Sequence, residues 1–362
     1  MHNLALALTE RGHQVHVVTP RTDLETSDST YPYSVHRFGF KGYGRLHLVD
    51  TMAVAKIASV ALRYSIDVVH AHNLIAPSTW VRCYRRLGGR ARLIGTPHGN
   101  DVLLDTSTGW GARNDPEVDR AVRRNISAMD LLTAISPPIF DELLKLGAQE
   151  SAVRIVPNGI WPEECPEGRP DAVRKALGVG SSTALMVSVG RNHPVKGFRN
   201  ALRSVARLRQ QGLDIAYLLV GREGESILSE AKALGIDDVV FVVGEIKPEA
   251  VAEYLQAADV ILVPSVVESF SITALEGMRA GKPCVLSTGA GVSGMLAEGS
   301  CLRVPAHDDD ALDAALRSLV NNVELRTRVG ARGAEEVRKF YWPVIAARYE
   351  SVYREALARN GC

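Results

Sequence analysis

The shortages of this chain narrow its function before any motif is considered. It has almost no excess charge: 42 lysines and arginines face 41 aspartates and glutamates, for a formal net charge of +1. No global field therefore draws it to nucleic acid. Its five cysteines, Cys83, Cys165, Cys284, Cys301 and Cys362, are scattered without a CxxC pair. That usage suits reduced thiols in a cytosol, not a disulfide framework or a zinc site. No apolar run reaches the ~18 residues that span a bilayer. The longest candidate, MAVAKIASVALRY at 52–64, is broken by Lys56 and Arg63 and has amphipathic helical spacing. The opening MHNLALALTERGHQ lacks the basic start and small-residue cleavage site of a signal peptide. These absences predict a cytoplasmic protein. Repeats and low-complexity tracts are also lacking.

What is present is a rhythm. At 362 residues the chain exceeds what one core usually organises, so two domains of roughly 150–180 residues are expected. Apolar, β-branched bursts recur between amphipathic stretches: QVHVVTP (14–20), DVVHAHN (67–73), RLIGTPH (92–98), LLTAIS (131–136) and VRIVPNG (153–159). A second set is TALMVSVGR (183–191), IAYLLVGR (215–222), VVFVVGE (239–245), DVILVPS (259–265) and KPCVLST (282–288). Strands alternating with helices imply parallel, doubly wound sheets, and most bursts end in Pro, His, Asn, Ser or Gly, as strands feeding functional loops do. The expected division is a first domain over 1–160, a Pro/Gly/Glu-rich linker over 161–180, a second domain over 181–339 and a C-terminal helix over 340–362, with a break near Pro343.

Two loops carry charge where such sheets bind ligands. SVGRNHPVKGF (188–198) puts Arg191 and Lys196 after a strand and before a helix. Two such cations can grip a diphosphate, Arg as a planar fork and Lys as a point charge, or can form an ordinary solvated loop. PSVVESFSITALEGM (264–278) holds Glu268 and Glu276 eight positions apart. Its chain is expected to turn into a helix with Ser269 and Ser271 near the cap, and a helix start suits a phosphate. Glu268 then stays in the loop and Glu276 falls on the second helical turn. From spacing alone, the plain account is a capping acid plus a solvated helical acid. HDDDALDAALRSLV (307–320) contains Asp308-x-Asp310, a look-alike of a metal motif, but it stands before an amphipathic helix and reads better as an acidic cap. GREG (221–224) is not a dinucleotide fingerprint, because GxGxxG is absent. His70, His72 and His98 lie at strand ends, where a histidine is usually a satisfied structural residue. WVRCYRRLGGRAR (80–92) gathers Arg82, Arg85, Arg86, Arg90 and Arg92. It reads as a solvated basic helix, or as a patch for anionic lipid headgroups.

Taken in order, VPNGI, VGRxxxxKG and PSxxE(S/G)FxxxxLEGMxxGxPV resemble the retaining glycosyltransferases of family 4 (glycosyl transferases group 1). RGHQVHVVTP, DVVHAHN, TPHGND and the Ser136-Pro137 pair extend the resemblance over nearly the whole chain. It implies a GT-B fold: two Rossmann-like doubly wound parallel-sheet domains facing a central cleft, with the C-terminal helix crossing back to the first. It also implies roles. Arg191 and Lys196 match the pair that neutralises the donor diphosphate. Glu268 matches the first acid of the E-x7-E motif, beside the donor sugar, and Glu276 the second, on the ribose. The backbone around Phe270 and Ser271 matches that meeting the diphosphate, and Gly244 and Ile246 match the turn near the nucleobase. His98 of TPHGND matches the histidine near the donor sugar and acceptor.

The implied reaction is metal-independent transfer, with retention, from a UDP- or GDP-linked sugar to a sugar, glycolipid or small-molecule acceptor. No cofactor is implied, since the nucleotide sugar is a co-substrate, and no nucleic acid. Peripheral membrane contact through Arg82, Arg85, Arg86 and Arg90 is a further expectation. Family members usually open with a strand and a glycine-rich loop, whereas this chain begins inside a helix, so an acceptor-side sheet short of one strand is expected. Ser269 also stands where glycine is commoner. The rival readings are an inactive nucleotide-sugar-binding protein, favoured by the missing loop, and a GT-B nucleotide-sugar epimerase.

Overall fold

The structure is a computed structural model describing residues 1–21, 30–39, 46–162 and 170–359. Much of the expected linker (163–169), Cys165 and Cys362 lie outside the described residues. Two compact units emerge. One comprises Met1–Pro157 together with Trp342–Cys362, and the other Asn158–Tyr341.

In the first unit, β1 (His16–Pro20) and β2 (Ser34–Phe38) form a two-stranded parallel sheet. Strands β3 (Val68–His72), β4 (Arg92–Thr96), β5 (Leu131–Ala134) and β6 (Val153–Ile155) form a separate parallel sheet in that order. Leu93, Ile94 and Leu131 are fully buried in it, as expected of strands covered on both faces. Strand β2 had no sequence expectation. Its SVHRF mixes His and Arg with only two large apolar residues, and its burial comes from pairing with β1. Local chemistry sets the helix ends: Asp115 caps the helix Pro116–Ile126 by accepting from the Glu117 amide, and proline fills the first helical position.

The C-terminal helix belongs to this unit. It runs Trp342–Ala358, so Pro343 lies in its first turn and does not break it. A proline there forfeits no hydrogen bond, because the first-turn amides have no intrahelical acceptor. The helix packs against the helix His2–Glu10. Beyond that helix, Arg11 reaches both carboxylate oxygens of Glu350, at 2.7 and 2.8 Å, and His13 adds a contact at 2.9 Å. Arg154 likewise holds both oxygens of Glu355. Such forked pairs fix geometry as well as charge.

In the second unit, six parallel strands are ordered β12-β11-β10-β7-β8-β9. They are β7 (Ala184–Val189), β8 (Ile215–Val220), β9 (Val240–Val243), β10 (Val260–Val263), β11 (Cys284–Ser287) and β12 (Leu302–Val304). The three-residue β12 carries too short an apolar pattern to be read from sequence. Tyr217, Leu218 and Leu219 are fully buried at its core. Strand β7, first in the chain order of this unit, lies between β8 and β10. The winding therefore reverses between β7 and β10, and a sheet of this kind opens a crevice at that switch, beyond the carboxyl ends of the strands.

The Arg11 and His13 hydrogen bonds hold the Glu350 carboxylate at a pKa of about 2, below its ordinary 4.5. A depressed carboxylate contributes stability above its unfolded pKa and loses it as pH falls through the folded one. Arg11→Ala should therefore lower stability at neutral pH and shift the acid-unfolding midpoint to higher pH, with the difference from the wild type fading as pH falls from 4.5 to about 2. Circular dichroism against pH checks this, and an unchanged acid midpoint would show that the fork contributes nothing.

Candidate functional site

The loops after β7 and β10 meet at the switch. Val266 donates its amide to the Val195 carbonyl at 2.7 Å, joining the two loops by their backbones. Gly197 permits the approach. It has φ +68°, and a methyl group there would stand 2.1 Å from the Pro264 carbonyl oxygen. On the other side, Glu268 donates its amide to Gly289 and accepts from Gly291, both at 2.9 Å, while Val292 donates to Phe270. The loop over 265–270 is thus held from both flanks.

This framework brings Lys196 and Glu268 together. The Lys196 Nζ lies 2.9 Å from Glu268 Oε1, and Ser265 Oγ donates to Oε2 at 2.7 Å. Both side chains are mostly buried, at 27% and 13% exposure. Ser265 is itself tied in, since its carbonyl accepts from Ser287 Oγ. Arg191 is exposed and has no hydrogen bond or ion pair among the described residues, so its guanidinium is available to an arriving anion.

The helix Ile272–Arg279 begins directly after this loop. Its first amides have no intrahelical acceptors and mark the positive end of its dipole. Ser269 and Ser271 were expected near its cap, and Ser271 stands at the N-cap position without a capping bond from its hydroxyl. Its backbone sits at φ +95°, the residue is 4% exposed, and its Oγ has no hydrogen-bond partner among the described residues. A buried hydroxyl on strained backbone at a helix start is the kind of feature that functional loops retain. Phe270 is buried beneath it against Phe340. Glu276 is half-buried on the second turn of the helix. Gly244 and Ile246 follow β9 on the same carboxyl edge of the sheet.

In the first unit, the histidines at the ends of β3 and β4 form a stack. His70 and His72 rings lie 4.2 Å apart, and His72 and His98 5.3 Å apart. His72 Nδ1 and His98 Nε2 share a hydrogen bond at 3.0 Å. His70 bonds Tyr353 and Thr96 through its two nitrogens. Burial pushes His70 down to about 3 and lowers His72 well below the imidazole range. The protein packed around His98 lowers its pKa as well, against an opposing pull from Asp101. Asp101 is fully buried. Its Oδ1 accepts from the His98 and Gly99 amides and its Oδ2 from the Leu74 amide, at 2.8–3.0 Å. Sequence reasoning quoted TPHGND without giving this aspartate a role, and likewise passed over Ser265 in PSVVE.

The basic segment is partly neutralised. Arg85 and Arg92 turn to Asp130 and Arg82 donates to Asn125, while Arg86 and Arg90 remain exposed. Asp308 caps the helix Asp309–Asn321 by accepting from the Ala311 amide, the capping role expected of this acidic run. Among the described residues, no helix is long and apolar enough to cross a membrane.

Comparison with known proteins assigns both units. A family model described as Glycosyl transferases group 1 matches residues 171–336, and one described as Glycosyltransferase Family 4 matches residues 1–164. The chain is 27% identical to the N-acetyl-alpha-D-glucosaminyl L-malate synthase of Bacillus anthracis, over 99% of this chain and 94% of that protein. It is 30% identical to the D-inositol 3-phosphate glycosyltransferase of Kribbella flavida, over 84% of this chain and 76% of that protein. Its fold matches that of Anabaena HepE, solved in complex with UDP and glucose, with a TM-score of 0.77 at 16% identity, over 98% of this chain and 94% of that one.

The Gly197 contact yields a direct test. Gly197→Ala combines a left-handed backbone with a clash against the Pro264 carbonyl, and is expected to destabilise by roughly 1–3 kcal/mol. A variant with the thermal midpoint of the wild type would show that the close approach is not required.

Proposed function

From the chain's membership of the family 4, group 1 glycosyltransferases, we propose that it moves a sugar from a UDP- or GDP-linked donor to an acceptor hydroxyl, with retained anomeric configuration and without a metal. The observation that carries the reading is the Lys196–Glu268–Ser265 linkage at the β7/β10 switch, beside the start of the helix Ile272–Arg279. Arg191, Lys196 and the backbone at Phe270 and Ser271 take the diphosphate. Glu268 faces the sugar, Glu276 the ribose, and Gly244 and Ile246 the base. His98, neutral at pH 7, hydrogen-bonds a sugar hydroxyl.

The chemistry follows from where charge develops. The bond between the anomeric carbon and the diphosphate oxygen breaks as the acceptor oxygen bonds to the same carbon. The acceptor proton passes to the departing phosphate oxygen on the same face, which accounts for retention. Negative charge grows on the leaving group, and each well-placed cation or amide lowers the barrier by roughly 3–4 kcal/mol. Glu268 stabilises the cationic character of the sugar, and its pairing keeps Lys196 extended toward the site. The peripheral contact proposed from sequence narrows to Arg86 and Arg90, exposed beside the 76% exposed Leu87. Each basic residue near an anionic surface contributes about 1 kcal/mol.

Calorimetry with UDP, GDP, UDP-glucose and GDP-mannose, followed by transfer assays, tests the reading; binding of none of the four would end it. Glu276→Ala should weaken nucleotide binding about tenfold, whereas Lys196→Ala should mainly slow transfer, by ~100-fold. The reverse pattern would overturn these two roles. Glu268→Gln removes a negative charge next to Lys196, so UDP should bind several-fold more tightly while transfer falls. Weaker UDP binding in that variant would place Glu268 on the nucleotide instead.

A further inference from the structure

We propose that His72 is a positioning residue for His98, fixing through the bond between their ring nitrogens which nitrogen of His98 carries its proton. The claim rests on the transferase reading above for its functional consequence, and on the first unit alone for its geometry.

His72 ends β3, and His98 follows β4 by two residues. The strands are in register at His72 and Thr96, and the Asn73 amide donates to the Thr96 carbonyl at 2.8 Å. Just beyond, Asn73 turns at φ +87°, and Asp101 ties the Leu74 amide of one loop to the His98 and Gly99 amides of the other. The backbone that carries the two imidazoles is therefore held on both sides, and the rings meet at 3.0 Å.

A hydrogen bond between two neutral imidazoles needs one protonated nitrogen and one bare nitrogen. Each neutral ring carries a single proton. If His98 Nε2 donates to His72, His98 Nδ1 is bare and accepts from a sugar hydroxyl. If His72 Nδ1 donates, His98 Nδ1 is protonated and donates instead. Either way the bond couples the role of the nitrogen with which His98 meets a ligand to the tautomer of His72. His72 is backed by His70 at 4.2 Å, and His70 is anchored by Tyr353 and Thr96. Burial keeps this backing uncharged at neutral pH, so the partner of His98 is an imidazole and not an imidazolium. A hydrogen bond to one ring nitrogen sets the tautomer of a histidine in other sites as well.

The test reads the tautomer directly. In the full chain labelled with nitrogen-15 at histidine, long-range nitrogen–proton spectra report which ring nitrogens of His98 are protonated, with the signal assigned by its loss in His98→Gln. Wild-type His98 should populate one tautomer at pH 7.5. His72→Leu should give a mixture. His72→Asn, whose amide replaces the lost Nδ1, should restore one tautomer. A mixture in the wild type, or a single unchanged tautomer in His72→Leu, would overturn the proposal. With whichever of UDP-glucose and GDP-mannose is turned over, His72→Leu should lower kcat ~10- to 100-fold while KM stays within about threefold, and His72→Asn should recover most of the loss. Equal loss in both variants would make His72 merely structural. If the wild type binds neither donor, the transferase reading falls, while the tautomer spectra still decide the positioning claim.

Discussion

The meeting of Lys196 and Glu268 depends on a backbone contact between their loops, above all the Val266 amide on the Val195 carbonyl. Parallel strands deliver their following loops to the same edge, but delivery alone does not align side chains. The bond at 2.7 Å, together with the bare Cα of Gly197 under the Pro264 carbonyl, locks the loops after β7 and β10 into one unit. Only then can a lysine and a glutamate separated by 72 positions stand 2.9 Å apart. The same locking fixes where the helix Ile272–Arg279 begins, since Phe270 and Glu268 are pinned by the loop after β11. Backbone contacts of this kind are costly to break because each buried group left unpaired loses its solvation as well as its partner.

Charge in the second unit is arranged economically. Lys196 and Glu268 compensate one another, so the pair adds little net field while remaining mostly buried. The uncompensated positive character lies at Arg191 and at the helix start. In the proposed reaction an incoming diphosphate meets a fork-shaped cation and oriented amides, and it competes with Glu268 for Lys196. That competition separates binding from turnover: a lysine already bound to a carboxylate contributes less to ground-state affinity than to the more negative leaving group. Interactions that strengthen as charge develops are those that accelerate the step.

How much of this was legible from the residues depended on the range of the contact. Strands such as TALMVSVGR and DVILVPS were readable because a strand buried on both faces needs a near-continuous apolar run, and the turn residues after it mark the edge. Arg191, Lys196 and Glu268 stood out as charges in the loops just beyond such runs, whereas the roles of all four residues, Glu276 included, came only from the resemblance. Ser265 and Asp101 did not stand out. A serine or an aspartate in a loop has many local uses, and only tertiary structure shows that one bonds Glu268 and the other ties two loops together. Ser271 stands at the N-cap as its place before the helix suggests, but only the structure shows its φ of +95° and its buried hydroxyl that makes no capping bond. Pro343 misled: proline predicts an interruption, yet at the first turn it starts a helix.

The histidine stack shows what burial permits. Charged histidine could in principle neutralise a diphosphate, but a ring packed against two others would have to take a proton in a low-dielectric setting next to its neighbours. Burial drives the stack the other way: His70 is lowered to about 3, His72 well below the usual range, and His98 is lowered despite Asp101. At neutral pH the stack therefore supplies directed hydrogen bonds and no charge. In the proposed reaction the positive charge for a departing diphosphate therefore comes from Arg191, Lys196 and the helix start, and the task proposed for His98, holding a hydroxyl, is one that a neutral imidazole performs well.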